Sequence, residues 1–210
     1  MQWYQYVSLG AFIVCFVALL GHFLRLLKHG NPKDLSEKSG NIPKAELYAY
    51  TTAMLPNQKE SAYMHIPSYA SGILFHCSTF ICFLLFVIFF FVQPDLFPAT
   101  LTWILVAIVF VGSICGFGLF LKRFFSRKLR GLSHIDDFLS NAITTLFQLA
   151  TVSFLLSHYF AVFYYIVVSL LFLYMPVGKL RHVVYFFAAR WHLGFFYGWR
   201  NSWPPQNNKK

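Results

Sequence analysis

The sequence predicts an all-α integral membrane bundle of five transmembrane helices, with the N-terminus outside and the C-terminus cytoplasmic. Three observations carry this expectation. Hydrophobic residues make up 58% of the chain and charged residues only 11%, whereas a soluble domain carries roughly a quarter charged. Five apolar runs have the length that a hydrocarbon core of about 30 Å demands, roughly 20 residues each. All 17 lysines and arginines fall in alternate connections or the C-terminal segment, including the ends of the adjacent helices, the placement the positive-inside rule gives an odd number of spans.

The first span, about Trp3–Leu27, lacks a basic n-region and a small-residue cleavage site, so it reads as a retained span and not a signal peptide. The second is about Tyr69–Val92. In the third, Ala99–Leu121, Gly112 and Gly116 form a GxxxG pair to which Gly118 adds another small residue. Such a stripe lets backbones approach closely or leaves room for a flat cofactor. The fourth, Ile135–Leu156, is opened by Ser133 and Asp136 in an S-x-x-D capping box, a capping role being preferred for Asp136 over a catalytic one. The fifth, Phe160–Val177, is expected to bend at Pro176 and continue as helix toward Ala189.

A long polar connection (Lys28–Ser68), a QPDLFP turn, a basic loop (Lys122–Ser133) and an SHY turn join the spans. This divides the chain into a membrane domain, residues 1–190, and a basic cytoplasmic tail, residues 191–210. The formal charge of +10 is therefore a topology signal directed at lipid headgroups, with an acidic partner surface as a second use and no nucleic acid implied. Cys15, Cys77, Cys82 and Cys115 all lie within apolar spans without CxxC spacing. They are expected as buried small hydrophobes and not as disulfides or a metal cage.

Eight histidines are present, and the topology sorts them by depth. His76 lies about seven residues into the inward end of the second span, roughly 10 Å below the cytoplasmic edge at 1.5 Å per residue. His182 lies near the same edge on the last helix. Two imidazoles at similar depth on different helices satisfy the demand of bis-histidine haem ligation, and polar groups held inside an apolar bundle are costly. His76 and His182 are thus the expected ligands of one haem b iron, with Lys179 and Arg181 placed to meet its carboxylates or to snorkel to headgroups. His22, at the inner end of the first span, is the alternative ligand, or a propionate or quinone contact. His65 and His134 read as interfacial, His158 as part of the outer turn, and His29 and His192 as solvated or interfacial.

Three blocks, SYASGILFH ending at His76, GLSHIDDFLSNAITTLFQLAT and MPVGKLRHVVYFF, resemble a known family. This is the gamma subunit of respiratory nitrate reductase and its relatives, the membrane cytochrome b subunits of heterodisulfide-reductase-like and sulfite-reductase-associated complexes. The resemblance covers nearly the whole chain. It implies that the histidines matching His76 and His182 hold the inner haem. It also implies that Phe86 and Tyr164 stand where two-haem members carry the ligands of an outer haem, which is therefore expected to be absent here.

The expected function is that of a haem b subunit in the cell inner (cytoplasmic) membrane. It would carry electrons between membrane quinol or quinone and a cytoplasmic iron–sulfur subunit of a respiratory oxidoreductase complex. Such a chain is an electron-transfer subunit and not a complete enzyme, with no catalytic residue of its own. The rival functions are a cofactor-free membrane anchor and a small transporter.

Overall fold

The computed structural model describes residues 1–29, 35–55, 58 and 64–205. Among them the chain is helical without strands, with α1 (Trp3–His29), α2 (Ile42–Tyr50), α3 (Ile66–Ile88), α4 (Ala99–Phe125), α5 (Arg127–Gly131), α6 (Ile135–Leu156), α7 (Ala161–Tyr174) and α8 (His182–Trp199). Trp3–Lys28, α3, α4 and α6 are each long and apolar enough to cross a membrane. The broken pair His158–Tyr174 and Lys179–Trp199 supplies a fifth span if it counts as one. The chain divides into two compact units, residues 1–16 with 67–180, and residues 17–66 with 181–210.

In the first unit α6 is the central helix. More than half of its most apolar stretch (56%) is buried, against 33% for α3 and 22% for α4. It packs along α4 and α7, and the interior between the helices is filled with rings. Phe154 stacks on Tyr164 with centroids 5.0 Å apart, Phe89 meets Phe154 edge-on at 5.1 Å, and Phe86 meets Phe172 at 5.0 Å. Phe12 of α1 closes on Phe172 at 5.2 Å, and Tyr4 stacks on Tyr165 at the same separation. Edge-to-face and offset rings at these separations attract beyond the area they bury.

The glycines of α4 serve helix packing. A methyl group on Gly116 would meet the Phe75 ring and lie 2.7 Å from Thr145 Oγ1, and one on Gly112 would strike the Ser78 side chain. Gly118 faces open space and takes no part in the contact. The fourth span, Ile135–Leu156, has the bounds the sequence indicates, but its cap is His134 and not Ser133. His134 is the N-cap, its N–H donating to Asp137 Oδ2 at 2.9 Å while its Nδ1 accepts from the Asp136 N–H at 3.4 Å. Ser133 instead donates to the Leu129 carbonyl at 2.7 Å, at the end of α5.

The last span does not run on as helix toward Ala189. α7 stops at Tyr174 because Pro176 has no N–H to offer the preceding turn and its ring crowds the carbonyl four residues back. The chain turns through Gly178, whose N–H donates to the Tyr174 carbonyl at 2.8 Å and whose missing Cβ makes room for the Tyr174 ring. A 3-10 turn over Lys179–Arg181 follows, and α8 begins at His182.

The second unit holds structure that the polar pattern of residues 28–68 did not announce. Asn41 caps α2 by accepting the Lys44 N–H at 3.0 Å, and α2 buries Ala45 and Ala49 against Gly194 and Gly198 of α8. A Cβ on Gly198 would lie 2.7 Å from Ala45 Cβ and 2.9 Å from Ile42 Cα, and one on Gly194 2.6 Å from Glu46 Cα. Two small-xxx-small stripes thus bring the backbones together. Tyr50 donates to the Phe187 carbonyl at 2.6 Å, and Ser39 N–H to the Trp199 carbonyl at 2.9 Å. Residue 190, where a tail was expected to end the membrane domain, lies inside α8. Beyond this helix Trp203 stacks on Tyr197 at 4.6 Å, while residues 206–210 of the expected tail lie outside the described residues.

Gly198→Ala and Gly116→Ala are expected to lower the Tm of the detergent-solubilised protein, by about 1–3 kcal/mol in stability as for other overpacked sites. Gly118→Ala, meeting nothing and gaining helix propensity, should leave Tm unchanged or raise it by up to about 1 kcal/mol.

Candidate functional sites

His76 sits on α3 beside the packed face formed by Phe75, Ser78, Thr79, Cys82, Leu85 and Phe86. At 100° per residue it falls just outside that face, and its side chain is exposed, with its ring 5.8 Å from that of Phe75. One turn earlier, Gly72 leaves open space. His182 is the first residue of α8 and is exposed. His76 belongs to the first unit and His182 to the second.

Of the two expected cations, Lys179 is an ion-pair partner of Asp137, and Arg181 lies over the Tyr185 ring at 5.8 Å. His22 lines a cleft with Arg25, Leu26 and Tyr185. His134 serves as a helix cap, and His158 lies 3.8 Å from Asp95. The His29 side chain lies outside the described ones.

Asp137 is the residue that sequence reasoning missed. It is 8% exposed and accepts from the His134 N–H, from Arg123 at 3.1 Å and from Lys179. It thereby ties the end of α4 and the turn after α7 to the first turn of α6. Beside it Tyr174 donates to the Asp136 carboxylate and lies 2.8 Å from Ser140 Oγ. The signal was available: Asp136 and Asp137 are the only acidic residues of the seven within the five apolar runs, with lysines and arginines at the ends of two neighbouring ones.

A second polar cluster lies deep among the helices. Gln148, fully buried, donates through Nε2 to the Phe75 carbonyl at 2.9 Å and to Thr79 Oγ1 at 2.8 Å. Among the described residues nothing donates to its Oε1, and the Tyr164 hydroxyl is likewise without a partner. Cys15 and Cys82 are buried and Cys115 partly so, but Cys77 is exposed, since it follows His76 off the packed face of α3. No group of three or more potential metal ligands occurs among the described residues.

The interior of the first unit does not fit a porphyrin. Phe86 and Tyr164 are 2% and 0% exposed within the ring stack. A cleft bounded by Gln2, Gln93, His158 and Tyr165 encloses about 90 Å³, whereas cofactor sites take on the order of 300–1,000 Å³. The exposed flank of α3 at His76 and Gly72 is open, and an imidazole there has the donor chemistry that iron requires.

These features define a class, an all-helical multi-pass membrane protein with four to five membrane-spanning helices. No protein-family model, curated protein or solved structure matches the chain.

Asp137→Asn is expected to destabilise the protein by about 1–3 kcal/mol, the range for hydrogen bonds to a charged group. A double-mutant cycle with Arg123→Gln, read by Tm, should show the two changes to be non-additive.

Proposed function

We propose that the chain is a haem b subunit of a respiratory oxidoreductase complex in the cytoplasmic membrane. In this reading five spans place the N-terminus outside and the C-terminus in the cytoplasm, which is supported by the one-sided distribution of lysine and arginine. His76 and His182 are the axial ligands, and Arg181 and Lys179 the cations near the carboxylates of the group. The partners are membrane quinol or quinone and a cytoplasmic iron–sulfur subunit.

The observation that carries the proposal is the exposed imidazole of His76, within a membrane-spanning helix but outside its packed face. A polar ring facing hydrocarbon is costly and is retained where it meets a ligand. Bound haem supplies one-electron transfer. The protein's own part would be to present imidazole nitrogen and to keep the ring oriented from a rigid helix. Because the interior of the first unit is filled, the residues that would hold the group are His76 on the exposed flank of α3 and His182.

A cofactor-free membrane anchor is the second reading, favoured by the pairing of Lys179 with Asp137, which gives that cation a structural partner.

Reduced-minus-oxidised spectra with haem quantitation on the wild type, His76→Ala and His182→Ala separate the two. One haem per chain, lost in either variant, is expected. A colourless wild type, or full haem retention in both variants, refutes the proposal.

A further inference from the structure

We propose that the cleft lined in the second unit by His22, Arg25 and Leu26 of α1 and Tyr185 of α8 binds the phosphate of an anionic phospholipid headgroup. The cleft encloses about 190 Å³, room for a phosphate and part of a glycerol. Among the described residues it is lined by Arg25, His22, Tyr185 and Leu26, with no carboxylate among them. Arg181 lies over the Tyr185 ring, 5.8 Å from its centroid, so a second guanidinium adjoins the same wall. Neither α1 nor α8 contains an aspartate or glutamate, and the nearest described carboxylate on a packed element is Glu46 of α2, against Gly194 of α8.

The chemistry selects phosphate. A guanidinium presents paired N–H donors that match phosphate oxygens, and a phenol hydroxyl adds a donor. Position selects a lipid over a free anion. Trp3–Lys28 is a membrane-spanning stretch with mean hydropathy 2.3, and His22, Arg25 and Lys28 fall in its last two turns, at the depth where a helix leaves hydrocarbon for headgroups. Leu26 supplies an apolar wall suited to the start of an acyl chain. The site uses neither His76 nor His182, and it shares only Arg181 with the haem reading as proposed above.

The test is the Tm of the full chain in neutral detergent with phosphatidylglycerol, phosphatidylcholine or inorganic phosphate. Phosphatidylglycerol is expected to raise Tm by about 3 °C or more through mass action, and the other two additions to leave it unchanged. Arg25→Gln and Tyr185→Phe should each remove at least half of that rise, and Arg25→Lys, which keeps the charge but not the paired donors, should retain only part of it. Each value is the difference with and without lipid for the same variant, so a less stable variant still reports. Equal shifts with the two lipids, or an undiminished response in Arg25→Gln, overturn the proposal. A shift reproduced by inorganic phosphate alone overturns the lipid assignment.

Discussion

Between helices in a bilayer there is no hydrophobic driving force, because lipid tails are as apolar as the side chains they would replace. Helix association then depends on close van der Waals fit. Both units show such a close fit, by different means. The first fills its interior with aromatic rings at centroid separations near 5 Å and lets α4 approach through Gly112 and Gly116. In the second, side-chain volume is removed from the contact, so that α2 and α8 meet through alanine and glycine.

Polar groups in such an interior carry specificity, since each that is buried needs a partner. Gln148 reaches from α6 to the backbone of α3, and Asp137 gathers cations from two other segments. These few directional contacts fix the rotation of α6, which van der Waals packing alone leaves loosely specified. His76 differs from both: it is a polar side chain in a spanning helix that lies outside the packed face, and ionisable groups so placed mark functional sites.

The comparison of expectation with structure divides along physical lines. Long apolar runs were legible because length and hydropathy are local properties: Ala99–Phe125 and Ile135–Leu156 were placed within a few residues. The GxxxG of α4 was legible as a packing stripe. Its neighbour Gly118 was misjudged, because three residues close in sequence do not all share one helical face. The cap at His134 was displaced by one residue, since serine and histidine can both occupy such a position and only the neighbouring contacts decide between them. The Ala45/Ala49 and Gly194/Gly198 stripes have the same small-xxx-small spacing but went unread, lying in segments taken for connection and tail.

Taken alone, the amino-acid sequence determined that this is a helical membrane protein, where its spans lie and which few ionisable groups they contain. Those properties follow from transfer free energies summed along a local stretch of chain. The tertiary structure alone decided that Asp137 is a shared ion-pair partner and that aromatic rings occupy the core around Phe86 and Tyr164. Each of these depends on which residues, distant in sequence, compete for the same space or the same proton, and no local pattern records that competition.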